Sequence, residues 1–217
     1  MRTGARRLPW NVWKLRAAVA AFVLAATSAC VPVGLPTTDP SAGPAHARDR
    51  LAALTVAPAG SMRGYARERF PTWRQTGGNC NVRDEVLTRD GTKVKTSGCN
   101  VVAGTWTSAY DGKILDAPAK VEIDHLVPLA NAWRSGASTW TDARREDFAN
   151  DLDHPELMAV STAANRAKGD QDPSSWRPQR TGAWCDYASD WIAVKANWKL
   201  TVTAAEKLAL AEMLGWC

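Results

Sequence analysis

Val121-Glu122-Ile123-Asp124-His125-Leu126-Val127-Pro128-Leu129, and further along Leu157-Met158-Ala159-Val160-Ser161-Thr162-Ala163-Ala164-Asn165-Arg166-Ala167-Lys168-Gly169-Asp170, decide how this chain is read. The first opens as a β-branched strand, Val121 to Ile123, and runs into two polar residues where a buried strand would stay apolar. The strand is therefore expected to stop at this dipeptide. Neighbouring side chains alternate across a regular strand, so a bend at Asp124-His125, with Pro128 close behind, is needed to turn both toward one place. The second stretch predicts a short strand, Leu157–Val160, then Ser161 as N-cap, a helix of one to two turns over Thr162–Lys168, and Gly169 as its stop. Asn165 rides on that helix with Arg166 and Lys168 beside it.

Strand, strand and short helix, with Asp-His at the end of the first strand and Asn on the helix, resembles the HNH, or ββα-metal, endonucleases. Glu122–Leu129 and Asn165–Asp170 look like the two signature segments of that family. More narrowly, Trp133-Arg134-Ser135-Gly136-Ala137, Phe148-Ala149-Asn150-Asp151-Leu152 and Lys168-Gly169-Asp170-Gln171-Asp172-Pro173 are similar to hallmark runs of secreted actinobacterial HNH-family proteins. The resemblance covers roughly Gly64 to the C-terminus. It implies Asp124 and Asn165 as metal ligands, His125 as general base, and products with 5′-phosphate ends.

Around this centre the chain has the marks of export. Arg2, Arg6, Arg7, Lys14 and Arg16 precede an apolar run, Ala17–Ala29, that is short for a membrane span and fits the h-region of a signal peptide over residues 1–29. That leader carries five of the 27 basic residues and none of the 22 acidic ones, so the remainder is balanced. The overall charge of +5 is thus no evidence for nucleic-acid binding, and attraction to phosphate must come from local placement, as at Arg166, Lys168, Arg177 and Arg180. Residues 30–50 read as a Pro/Ala/Gly-rich linker and 51–217 as one domain, a monomer by expectation.

Five cysteines lack any Cys-x-x-Cys pair, which argues against a zinc ribbon. Cys30 follows Thr-Ser-Ala at the end of the h-region and is a candidate for lipidation, although Thr27 stands where a lipobox prefers Leu. Four remain in an exported chain, where disulfides form. Cys80 and Cys99 flank an expected hairpin of Asn81–Thr88 and Thr92–Cys99, whose turn would set them opposite each other. Cys185 and Cys217 sit at the outer ends of two consecutive helices that would pair antiparallel.

The helices follow from period and caps. Arg48–Ala57 is expected to open the domain. Leu126–Ser135 fits a helix entered through Pro128, and Thr141–Leu152 one capped by Thr141 or Asp142 with Phe148 and Leu152 inward. Trp184, Tyr187, Trp191, Val194 and Trp198 recur at helical spacing as a core stripe. Thr203 and Glu206 form a capping box for a last helix with Leu208, Ala211 and Leu214 inward. Arg67 and Arg69 read as solvated, Arg83 as an exposed strand residue or a phosphate contact, and His154 as an exposed turn residue.

The expected fold is α+β: a ββα-metal nuclease core with an N-terminal disulfide-linked hairpin and a C-terminal antiparallel helix pair. The expected activity is hydrolysis of phosphodiester bonds in nucleic acid, DNA first and RNA also open, with little sequence specificity. His125 would take a proton from water, Asp124 and Asn165 would hold Mg²⁺ or Mn²⁺, and Arg166, Lys168 and Arg83 would position phosphate. The rival is an inactive exported lipoprotein using the same fold to bind, in which His125 is a satisfied core histidine. A peptidase has no support: there is no His-Glu-x-x-His and no Gly-x-Ser-x-Gly. The protein is expected outside the cell, secreted or anchored to the outer membrane face through Cys30.

Overall fold

A computed structural model describes residues 44–217; the expected signal peptide, most of the linker and Cys30 lie outside the described residues. Helix α1 (Pro44–Ala53) begins before the expected domain boundary at 51 and ends four residues earlier than the expected helix; Val56 beyond it bridges to Val202.

The largest departure from expectation follows. Asn81–Thr88 is not a strand. A two-stranded ribbon, β1 (Gln75–Gly77) with β2 (Cys80–Asn81), leads into helix α2 (Val82–Asp90). Asn81 caps it by accepting from the Arg83 and Asp84 amides, while the Asp84 carboxylate accepts from the Asn81 amide. This closes a capping box, and Val82, Val86 and Leu87 then share a buried face at helical spacing. The hairpin is β3 (Gly91–Ser97) with β4 (Asn100–Thr107), extended by β5 (Ile114–Leu115). Cys80 is bonded to Cys99 with Cα atoms 4.9 Å apart, so the disulfide ties the β3–β4 turn to the start of α2 instead of closing a hairpin of its own.

Strand β6 (Val121–His125) pairs antiparallel with β7 (Leu157–Ser161), in register from Val121↔Ser161 to His125↔Leu157. The strand ends on the Asp124-His125 dipeptide as expected, but pairing runs through it in unbroken register, without the expected bend. One side of this ribbon, with Val121, Ile123, Leu157 and Ala159, packs on α2 and Trp106. Val160, on the other side, joins a larger core of helices α3 (Leu129–Arg134), α4 (Asp142–Ala149), α6 (Trp184–Trp198) and α7 (Ala204–Met213). A two-stranded ribbon buried on both faces needs apolar residues without alternation, which is what Leu157–Val160 supplies. The free edge of β7 is closed by the end of α2. Arg89 donates to the Leu157 carbonyl at 2.5 Å, and the Ala159 amide donates to Asp90 at 2.9 Å. Helix α5 (Thr162–Lys168), capped by Ser161, leaves β7 and crosses β6; Gly169 ends it at φ +54°.

The C-terminal helix pair is as expected, with Cys185 bonded to Cys217. The face of α7 is not. Leu214 is buried as expected, but Leu208 is 73% exposed and Ala211 is exposed, while Glu206, Ala209, Leu210 and Met213 point inward. The helix is rotated because Glu206 itself is buried, bound to the Lys195 ammonium at 3.1 Å and the Trp191 indole at 2.6 Å. Leu152 is likewise outside α4 and 37% exposed.

Candidate active site

Regular alternation sends Asp124 and His125 to opposite faces of β6, yet both line one cleft of about 270 Å³, because the cleft wraps the end of the strand. Asn165, Arg166, Arg67 and Tyr65 line it as well.

Asp124 faces α5 and is 7% exposed. Its Oδ2 accepts from the buried Tyr110 hydroxyl at 2.6 Å and meets the Lys168 ammonium at 2.7 Å. Both contacts fall on one oxygen, so Oδ1 is left toward the cleft. Lys168 also donates to the His125 carbonyl at 2.9 Å and is fully buried. It is an internal counter-ion, not the phosphate contact expected of it, because its ammonium is held between the Asp124 carboxylate and the His125 carbonyl. Asn165 donates through Nδ2 to Glu122 at 2.7 Å, which holds its carboxamide and leaves the oxygen on the opposite side.

His125 is 5% exposed. Its ring stacks on Trp73 with centroids 5.5 Å apart and planes 2° from parallel, and Nε2 lies 3.0 Å from the Ala149 carbonyl. A carbonyl only accepts, so Nε2 carries the hydrogen and Nδ1 keeps the lone pair. Burial is the main reason its pKa falls to about 3, with the Arg67 and Lys168 charges pushing the same way against the Ala149 hydrogen bond. The imidazole is therefore neutral at any ordinary pH.

Glu156 holds the turn after the dipeptide: its carbonyl accepts from the Leu126 amide at 2.7 Å and its Oε2 from the Val127 amide at 3.1 Å. Burial raises its pKa well above the carboxylate range. Asn150 bonds Pro71 and Arg74 on the two sides of the Trp73 segment, at 2.8 Å each, and so presents Trp73 to His125. The Phe148–Leu152 run thus supplies the carbonyl under His125 and the clamp behind its stacking partner.

Arg83 is elsewhere. From α2 it donates to the Pro118 and Val121 carbonyls at 3.1 and 2.9 Å, tying down the start of β6, and it does not line the cleft. His154 is bound through Nδ1 to Asp151 at 2.8 Å, away from this site. Sequence reasoning missed Tyr110, Trp73, Glu156 and the Ala149 carbonyl. For Glu156 there was a signal, a lone acid directly before an apolar strand; the others depend on contacts between distant segments.

Among the described residues no three His, Cys, Asp or Glu side chains gather as a metal cluster. Three side chains bring a carboxylate or carboxamide oxygen to the cleft, Asp124, Asn165 and Asp170; Asp170 is paired with Arg134 at 3.6 Å, which leaves Asp124 and Asn165 as a sparse, hard set.

Residues 81–213 match the family described as GmrSD restriction endonucleases, C-terminal domain. The chain belongs to this family. The match begins at the α2 cap and ends with α7, so it contains the cleft's dipeptide and α5 but not the Tyr65–Trp73 segment. Over 202 residues the chain is 48% identical to an "Uncharacterized secreted protein" of Arthroderma benhamiae, covering 93% of this chain and 97% of that one. No solved structure matches. The family makes a nuclease-type relationship plain; the organism of the relative gives no support to an actinobacterial affinity.

Proposed function

We propose that this protein is an exported, metal-dependent endonuclease of the HNH type, with β6, β7 and α5 as its ββα core. The observation that carries the reading is the convergence of Asp124, His125 and Asn165, from a strand end and a helix, on one cleft. Packing alone does not call for three polar groups there.

Asp124 and Asn165 would hold one Mg²⁺ or Mn²⁺, with water and phosphate oxygens filling the rest of its shell. Bound there, the ion would polarise the phosphate and shield the departing 3′ oxygen. Lys168 and Tyr110 hold Asp124 oriented through Oδ2 while Oδ1 stays available. Nδ1 of His125 takes a proton from water, the water oxygen bonds to phosphorus, and the P–O3′ bond breaks. The 3′ oxygen leaves with a proton from solvent, giving 5′-phosphate and 3′-hydroxyl ends. A free imidazole of pKa about 3 is a weak base. An arriving phosphate offsets the Arg67 and Lys168 charges and so raises its proton affinity. Arg166, exposed at the rim, contacts the backbone of the substrate. Nucleic acid is the substrate class, DNA before RNA. The leader, two disulfides and a relative named as secreted support a place outside the cell.

The low exposure of His125 favours one rival, a binding protein that keeps the fold without the chemistry. Plasmid nicking by wild type and His125→Ala, each with and without EDTA, separates them. The nuclease reading expects cleavage only by wild type without EDTA. No cleavage in any lane supports the binding reading, and cleavage that survives EDTA removes the metal.

A further inference from the structure

The cleft holds one guanidinium that nothing so far accounts for. Residues 65–70 form a turn pinned at both ends. Tyr65 packs edge-on against Trp133 with centroids 5.9 Å apart, and Phe70, 2% exposed, meets Trp133 and Phe148 at 6.4 Å each. Between these anchors Arg67–Arg69 make one 3-10 turn. Gly64, at φ +77°, begins it, a backbone angle that a side chain strains. The two arginines of this turn have different fates. Arg69 is consumed by the fold, donating to the Gly64 carbonyl at 3.3 Å, pairing with Asp142 at 3.7 Å and lying 5.0 Å over the Trp133 ring. Arg67 is exposed, lines the cleft, and makes no side-chain hydrogen bond or ion pair among the described residues.

Most other arginines resemble Arg69. Arg74 pairs with Glu146 and Asp147, Arg89 with Asp90, Arg134 with Asp170 and Arg177 with Glu212. Arg67 and Arg166 are the cleft-lining arginines without such partners, and they come from separate elements, the aromatic-pinned turn and α5. A fixed turn that aims an unneutralised guanidinium into a cleft with a buried imidazole prepares a place for an anion. A guanidinium matches two phosphoryl oxygens at once.

We propose that Arg67 is the transition-state clamp of this site, binding the non-bridging oxygens of the scissile phosphate beside His125, while Arg166 holds a neighbouring phosphate of the strand. This rests on the nuclease reading and names the division of labour within it. Arg67 comes from the same segment as Trp73, whose ring stacks on His125, and it lines the cleft with that imidazole; Arg166 comes from α5, next to Asn165. Charge on the non-bridging oxygens grows as the water attacks, so the Arg67 contact strengthens toward the transition state and acts on kcat. A contact to a neighbouring phosphate is equal in both states and acts on KM.

The experiment uses the mature protein with Mg²⁺ and two substrates: duplex DNA, and bis(p-nitrophenyl) phosphate, a diester without neighbouring phosphates. Arg67→Ala is expected to lower kcat on both by about 100-fold, the scale of removing one oxyanion donor, with little change in KM. Arg67→Lys restores part of it. Arg166→Ala raises KM on DNA, flattens its salt dependence by about one phosphate contact, and leaves the small diester untouched. Arg63→Ala, outside the cleft on the same segment, changes neither. Melting temperatures of the Arg67 variants stay at the wild-type value, because the side chain has no partner to lose. An active wild type with unchanged kcat in Arg67→Ala overturns the inference and leaves the nuclease reading standing, as does a loss confined to KM. A wild type that cleaves neither substrate overturns both.

Discussion

Among the described residues two lysine–carboxylate pairs are buried, and their surroundings differ. In the helical core, Lys195 donates to Asn131 Oδ1 at 2.6 Å, to Ser135 Oγ at 2.7 Å and to the Thr201 carbonyl at 2.9 Å, beside Glu206 at 3.1 Å. Glu206 in turn accepts from Trp191 through Oε1 and from the Thr203 amide through Oε2. Every valence is filled, and the pair staples α6, α7 and α3 together. At the end of β6, Lys168 and Tyr110 crowd onto one oxygen of Asp124, and the other is left toward the cleft. The same two charged groups make a staple when all their bonding positions are used, and leave an oxygen free for a ligand when one is withheld.

Breaking the staple should have the largest effect on stability. Glu206→Ala strands a buried ammonium and is expected to cost about 3–5 kcal/mol in urea unfolding, whereas an apolar pair at 195 and 206 recovers most of it. Loss near zero for Glu206→Ala would mean that the pair is solvated. Opening the second disulfide, Cys185→Ala with Cys217→Ala, is expected to cost about 2–4 kcal/mol, read the same way, since it closes a loop of 32 residues between the same helices.

At the cleft the comparison inverts. Asp124→Asn is expected to lower cleavage by at least about 100-fold, the scale of losing one metal or oxyanion contact, and to abolish any rise in melting temperature on adding Mg²⁺. A Mg²⁺ response that survives in Asp124→Asn but not in a Glu206 variant would exchange the two assignments.

A third carboxylate sharpens the contrast by lacking any lysine. Asp190 on α6 has its pKa raised to about 7 by burial and by repulsion from Asp186. Between the usual carboxylate pKa near 4 and about 7, the folded protein holds a proton that the unfolded chain releases. Stability therefore falls as pH rises through that window and is level above it. Asp190→Asn should stabilise the protein at pH 8 by less than about 1 kcal/mol for a part-exposed group, seen as a higher melting temperature, and leave it unchanged at pH 3. An equal shift at both pH values would exclude a titration effect.

The caps and stops were legible because they are local. Ser161, Thr141, the Thr203–Glu206 box and Gly169 all stand where expected, as do both cysteine pairings. The α2 helix was lost although Asn81 and Asp84 spelled a capping box, because Thr-Arg-Asp-Gly also reads as a hairpin turn and only packing against Trp106 decides between them. The inward face of α7 was misjudged for the reason that makes the staple: a charged residue counted as surface was buried with its partner, 11 residues away on another helix. The dipeptide, the asparagine and Arg166 were readable as a motif. What surrounds His125 was not, since Trp73, Ala149 and Arg67 reach it only through tertiary folding.

The most direct test is cleavage of supercoiled plasmid in Mg²⁺ by wild type and by His125→Ala, Asp124→Asn and Asn165→Ala, each shown by circular dichroism to be folded. Strong activity in the wild type that falls by at least about 100-fold in every variant is the outcome expected of three groups acting on one phosphate. Folded variants that cut as fast as wild type would contradict it.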